Sequence, residues 1–496
     1  MNPERAKTEL ESFLAPRREW LLVGSTGKSF SLQACEIEIA LEREKLFFGF
    51  LAETGFQTWR ITDYQFENEK ISLDLTRNFG KENEKISLVP RIPAFDLSQT
   101  AESARIEKAR KIANSIARSN PKTKLVRADL NRETGRFAQI IVEDFRGRQI
   151  AAVADVSDSL TPEILVSTSV LWLEKLRNRK KNAIESIWIL AEKKRAKDLS
   201  KLHALLRENW KNKIKVFEIS SAGAKAQSEE LKELPALSLG DLWRGKASKI
   251  QTVESVELSE TARRIIAFAP DEIDFVFSRN GETLRFAGLP FARVRKIAGE
   301  EKTWFGAEAK KQILGEKTFD EFVKLIDEIK AYRRFDSANK HHAFYRLAPE
   351  SWLEAILRKN IKLLDANLIL SPLYNQFRAE RDKIDLLALR KDGRLVVIEL
   401  KVAPDRAGVF QAADYWRKIE LQRRKGNLQK AKLFGDSEIA DAPALCYLAA
   451  PMLSFHKDST FLARTLAPEI EIYRFDLNEN WRERLKVLRR EKLAAD

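Results

Sequence analysis

The stretch from Ile384 to Lys401, IDLLALRKDGRLVVIELK, constrains this chain more than any other. Two apolar runs flank Lys391-Asp392-Gly393, so it reads as a β-hairpin, yet Asp385, Glu399 and Lys401 stand in or beside those runs. A three-residue loop with glycine in the left-handed third position is a common hairpin connection. That loop sets Asp385 directly opposite Glu399. Period-two alternation then puts Lys401 on the same face, with Val396, Ile398, Leu400 and Val402 on the other. A two-residue Asp-Gly loop would instead send the two acids to opposite faces. Opposed like charges on a sheet are destabilising and half-buried carboxylates need a partner, so the first register requires a cation. Lys401 can supply it as a plain ion pair. A divalent metal ion, which takes hard oxygen ligands, is the sharper answer.

The rest of the chain divides by pattern. Residues 1–97 are rich in short strand-like runs (CEIEIALE, KLFFGFL, TWRITDY, KISLDL) and read as a β-rich domain. Residues 98–222 turn helical, then carry the hairpin-like RFAQIIVEDFRGRQIAAVADV and a strand–helix–strand unit, which reads as an α/β domain. Residues 223–340 begin as a polar linker and continue as a small α+β module, with a hairpin turning at Asn280-Gly281 and a helix through TFDEFVKLIDEIKAYRRF. Residues 341–496 alternate helices with strands around the opening hairpin and predict a mixed sheet with flanking helices, including a strand at YNQFRAE. The whole is a multidomain α/β chain of 496 residues.

Lys and Arg total 88 against 73 Asp and Glu, and the resulting +15 favours a polyanionic partner. No apolar run approaches the roughly 20 residues of a membrane span, and the charged start lacks a secretory h-region, so a cytoplasmic protein without membrane contact is expected. Cys35 and Cys446 are far apart in apolar contexts and read as buried thiols.

Several motifs are decoys. Gly27-Lys28-Ser29 matches the end of a phosphate-binding loop, but Leu22 stands where its first glycine belongs and strand-like sequence follows, so a β-turn is expected. His341-His342 lacks partners at ligand spacing. The basic runs RNRKK (Arg177 to Lys181) and EKKRAK (Glu192 to Lys197) fit phosphate contacts and solvated surface equally well. Glu230-Leu231-Lys232 repeats the tripeptide of Glu399 to Lys401 in a polar helical or linker context without a preceding hairpin. The tripeptide alone carries almost no information.

The order D-x13-E-L-K on a hairpin, with an acid-bearing helix before it and a long helix after it, resembles the PD-(D/E)xK nuclease superfamily, and within it NucS-like and RecB-type nuclease domains. The resemblance covers residues 341–496 and leaves the rest untouched. Ile384 stands where the motif often has proline. It implies a restriction-endonuclease-like α/β/α domain with a mixed sheet, and a Mg²⁺-dependent (or Mn²⁺-dependent) endonuclease that hydrolyses phosphodiester bonds. Asp385, Glu399, the Leu400 carbonyl and Glu354 would hold metal, with Glu350 competing with Glu354 on one helical face. Lys401 would orient or help deprotonate the attacking water. Gln411 and Tyr415 match the Q-x-x-x-Y pattern of RecB-type members and would contact substrate. Basic residues flanking the site, Arg423, Arg424 and Lys425 together with the terminal WRERLKVLRREK, add candidate phosphate contacts on helices. The implied partner is nucleic acid, DNA rather than RNA, with a homodimer as an allowed assembly. The alternatives are a catalytically inactive nucleic-acid-binding protein on the same scaffold, and a structural protein in which the charged set is only an ion pair.

Overall fold

The structure is a computed structural model. It describes the chain except residues 1–2, 18, 25–28, 34–36, 43, 53–54, 68–69, 78–79, 81, 91–93, 120–122, 158, 180–182, 222–228, 248–257, 279–280, 298–299, 308–311, 371–384 and 494–496. The expected strand YNQFRAE, the turn at Asn280 and Cys35 lie outside the described residues. The chain forms two compact units: residues 1–165, 172–197 and 214–234, and residues 166–171, 198–213 and 235–496.

The first unit holds two sheets. Strands between Glu19 and Pro90 form a seven-stranded antiparallel sheet. The helix Pro3–Leu14 buries Ala6, Leu10 and Leu14, four residues apart, in the same core as Trp20, Phe48, Leu73 and Leu88. Val23 pairs with Ser29 and Leu22 with Phe30, so strands flank the Gly-Lys-Ser stretch on both sides and no helix opens there. A six-stranded mixed sheet follows, built on the hairpin Phe137–Glu143 and Gln149–Asp155 and the parallel strands Ile187–Glu192 and Ile214–Ser221. The helix Ala94–Ser119 buries Ala109, Ile112, Ala113 and Ile116 against it. The helical or linker context read for Glu230-Leu231-Lys232 is corrected: these residues lie on an edge strand, Glu229–Glu233, antiparallel to Ile214–Ser221. Backbone pairing at an open sheet edge, helped by the Lys215–Glu233 ion pair, overrides their weak strand propensity.

The second unit also holds two sheets. Residues 273–313 form a five-stranded antiparallel sheet. Phe322, Ile326 and Ile329 of the helix Phe319–Tyr332 join Leu284, Phe291 and Phe305 in its core. His342 accepts the Phe344 amide and stacks on Tyr332 at 3.6 Å, which makes it a cap. Arg333 is buried and donates to the carbonyls of Phe286, Ala287, Phe344, Leu347 and Ala348. It thereby ties the five-stranded sheet to the start of the helix Pro349–Lys359.

Six strands in chain order make the C-terminal sheet: Leu368–Leu370, Leu386–Arg390, Leu395–Leu400, Leu445–Pro451, Glu471–Leu477 and Val487–Lys492. The third, fourth and fifth run parallel and the other neighbours antiparallel. The two parallel connections carry the helices Gly408–Arg424 and Ser459–Arg464. Strands Leu395–Leu400 and Leu445–Pro451 are buried at every position, as central strands covered on both faces must be. The end of the chain, expected to be helical, pairs instead as a strand on Glu471–Leu477. Among the described residues no helix is long and apolar enough to cross a membrane.

Candidate active site

The hairpin has the register that opposes the acids. Leu386 pairs with Ile398, Leu387 with Val397 and Leu389 with Leu395. The Arg390 amide reaches the Arg394 carbonyl at 2.8 Å across Lys391-Asp392-Gly393, and Gly393 has φ +83°, the left-handed conformation this loop needs. One step beyond Leu386, Asp385 accepts the Leu400 amide at 2.9 Å, so its side chain takes the place of the next ladder rung. Lys401 extends the other edge of the strand, its amide bonded to the Ala449 carbonyl at 3.0 Å.

Charge converges on Glu399. Its side chain is 3% exposed, and Oε1 accepts from Lys401 Nζ at 2.7 Å. Oε2 is buried without a hydrogen-bond partner among the described residues. Burial first, and then the neighbouring Asp385 and Glu350 charges, hold the Glu399 carboxyl well above the usual carboxylate range, with Lys401 opposing. Burial works against the Lys401 ammonium, but Glu399 and Glu350, with Asp405 at 3.6 Å, outweigh it and hold its pKa above the ordinary value. Among the described residues, the Lys401 ammonium thus stands among the carboxylates of Glu399, Glu350 and Asp405.

The two acids on the helix Pro349–Lys359 divide. Glu354, expected at the metal, accepts from Arg285 Nη1 at 3.2 Å and lies 3.7 Å from Arg358, and Arg285 also holds Asp274. This buried network fastens the helix to the five-stranded sheet and engages Glu354 with cations of its own. Glu350, one turn earlier, is the acid whose charge is felt at Glu399 and Lys401. Sequence spacing could not separate them, because residues four apart share a face.

Gly408, at the start of the helix Gly408–Arg424, lies beside Lys401: a Cβ there would sit 3.5 Å from Lys401 Cε. Gln411 and Tyr415 follow on the same face, one and two turns away. The Gln411 Oε1 is buried without a partner among the described residues, and Lys418 Nζ lies 5.5 Å from the Tyr415 ring centre. Arg423, Arg424 and Lys425 are not brought to the site. They stand at the far end of that helix, about 22–26 Å along its axis at 1.5 Å per residue. Arg423 is committed to Glu420 and Asp441, and Arg424 to Glu420 and the Trp243 ring.

Other residues the sequence gave no reason to choose do line the site. The loops leaving Leu395–Leu400 and Leu445–Pro451 adjoin because those strands are parallel neighbours. Together they line a small open pocket of about 20 Å³, bordered by Glu399, Lys401, Asp405, Gly408, Ser454, Phe455, His456 and Ser459 among others. The only sequence signal for Asp405 is its position four residues after Lys401; His456 has none.

No family model and no curated protein matches this chain. A solved structure entitled "Structure of EndoMS in apo form" matches with 14% identity, over 38% of this chain and 84% of that chain, at a TM-score of 0.15. A likeness at that level carries no argument about the site.

Proposed function

We propose that residues 341–496 form a PD-(D/E)xK-type domain and that the protein is a metal-dependent nuclease hydrolysing phosphodiester bonds in nucleic acid, DNA before RNA. The observation that carries this reading is the buried Oε2 of Glu399, which has no hydrogen-bond partner among the described residues and is set opposite Asp385, where burial and the Asp385 and Glu350 charges disfavour its anion. The donors fit a hard divalent ion. Among the described residues no three His, Cys, Asp or Glu side chains surround one cation position. Asp385, Glu399 and the Leu400 carbonyl would therefore hold Mg²⁺ or Mn²⁺ with water completing the shell, as suits Mg²⁺. Glu350 is better placed than Glu354 to act on that shell. The bound ion would supply Lewis-acid polarisation of the scissile phosphate.

The protein's own residues do the rest. Lys401, held charged, steadies the negative charge that develops on the phosphoryl oxygens. Asp385 locks the hairpin register through the Leu400 amide and so fixes where Glu399 stands. Gln411 offers a buried acceptor one turn beyond the pocket wall.

The test is incubation of wild type, Asp385→Ala and Lys401→Ala with end-labelled single- and double-stranded DNA and RNA in Mg²⁺, Mn²⁺ or EDTA. Calorimetric titration with Mn²⁺ runs alongside. Metal-dependent cleavage by wild type alone, with Mn²⁺ binding lost in Asp385→Ala, supports the reading. Binding of nucleic acid without cleavage in any metal would favour a non-catalytic scaffold.

A further inference from the structure

Hydrolysis takes a proton from water, and a group in or beside the acid cluster must receive it. Lys401 Nζ is engaged by Glu399 Oε1 at 2.7 Å, with Asp405 at 3.6 Å. Asp385 already accepts the Leu400 amide, and Glu399 Oε1 accepts from Lys401.

The pocket shared with Glu399 and Lys401 also contains the imidazole of His456. Asp405 joins the two ends of this pocket: it lies 3.6 Å from Lys401 Nζ, and its charge is felt at His456. Both ring nitrogens of His456 lie 3.2 Å from N–H donors, Nε2 from Arg406 Nε and Nδ1 from the Asp458 amide. A neutral imidazole accepts at one nitrogen only; with the Nδ1 hydrogen turned to the Asp458 carboxylate 3.6 Å away, Nε2 is the acceptor and takes the Arg406 N–H, which protonation would displace. Among the described residues, the other charges felt at the ring are the Asp458 carboxylate, 3.6 Å from Nδ1, with Asp405, Arg406 and Lys457. Burial, the largest influence, lowers the His456 pKa, as do Arg406 and Lys457, while Asp458 and Asp405 pull the other way.

We infer that His456 is the proton acceptor for the attacking water, and that Arg406 uncovers its Nε2 by turning to a phosphate of the bound strand. The inference rests on the nuclease reading above. In the step, the water oxygen bonds to phosphorus as the bond from phosphorus to the leaving oxygen breaks. The water's proton passes to Nε2, and an equivalent proton reaches the leaving oxygen from solvent. No redox partner is needed. Coupling the release of Nε2 to Arg406 keeps the base covered until a phosphate arrives.

The experiment uses the full chain, as wild type, His456→Gln, His456→Ala, Arg406→Ala and Asp385→Ala, with circular dichroism as a check on folding. Single-turnover cleavage of a labelled DNA strand is followed in Mn²⁺ between about pH 5 and pH 8, the span over which a histidine titrates. Strand binding is read by fluorescence anisotropy in EDTA. Loss of a general base costs about 10²-fold or more in rate. The expected result is that loss in both His456 variants with unchanged binding, disappearance of the acidic limb of the pH profile, and partial rescue of His456→Ala by added imidazole. Arg406→Ala weakens binding. If both His456 variants cleave at the wild-type rate with the wild-type pH profile while Asp385→Ala is inactive, the inference is overturned and the nuclease reading stands. A wild type that cleaves nothing in any metal overturns both.

Discussion

Glu399→Gln should stabilise the metal-free protein, and the gain should grow with pH. The side chain is buried, burial and the charges of Asp385 and Glu350 disfavour its anion, and one carboxylate oxygen has no partner among the described residues. Its folded-state pKa therefore lies above the unfolded value. Stability from such a group is fully present below the unfolded pKa and is lost as pH rises toward the folded one. The slope is about 1.36 kcal/mol per pH unit above an unfolded glutamate pKa near 4.3. That sets a ceiling of about 1.6 kcal/mol at pH 5.5 and about 3.7 kcal/mol at pH 7. Glutamine has nearly the same shape, keeps an acceptor for Lys401 and carries no charge, so the variant escapes the loss. Multidomain chains rarely unfold in one step, so the assay is hydrogen exchange of the peptides spanning residues 385–400 in EDTA. Protection in the variant should exceed wild type by up to about 15-fold at pH 5.5 and up to about 500-fold at pH 7, at tenfold per 1.4 kcal/mol. Mn²⁺ at a hundred times its Kd adds about 2.7 kcal/mol to wild type alone, which should reverse the order at pH 5.5 and narrow the difference at pH 7. A difference that does not grow between these two pH values, or a variant less protected than wild type in EDTA, would refute the reasoning.

Glu350→Gln should slow metal-dependent cleavage with little effect on thermal stability, whereas Glu354→Gln, which removes a buried partner of Arg285, should cost about 1–3 kcal/mol of hydrogen-exchange protection in the helix Pro349–Lys359. Arg423→Ala should cost about 1–3 kcal/mol, because Glu420 is fully buried but keeps Arg424 and the Ala444 amide as partners. The same variant should leave the affinity for DNA and its salt dependence unchanged when measured by anisotropy. Gly288→Ala should lower the thermal midpoint and cleavage together: its φ is +79°, a strain of about 1–2 kcal/mol for an L-residue. The added methyl would also meet the Ser351 carbonyl on the helix that carries Glu350.

The hairpin was legible because its signals are local. A glycine third in a three-residue loop fixes the register, and the register fixes which side chains share a face, so the opposition of Asp385 and Glu399 followed from residues 385–401 alone. The flanking helices Pro349–Lys359 and Gly408–Arg424 were legible for a similar reason, their apolar periodicity. Propensity failed at the edges of sheets. Glu229–Glu233 and Val487–Lys492 are charged segments that become strands by pairing with a distant neighbour.

The roles of charged side chains were the least legible. Glu350 and Glu354 are equivalent on a helical wheel. Arg285, 69 residues before Glu354 in sequence, claims one and leaves the other in the field of Lys401. Arg423 has the sequence context of a phosphate contact, but Glu420 and Asp441 occupy its guanidinium.

By itself, then, the sequence determined the hairpin, its register and the helices that bracket it, since turn geometry and periodicity act over a few residues. Only the tertiary structure decided which acid serves the cluster, which arginines are already spent on partners, and that His456 shares the pocket with Lys401. Those outcomes depend on which charges are brought within a few ångströms after burial, and that is set by strand order and packing across the whole unit.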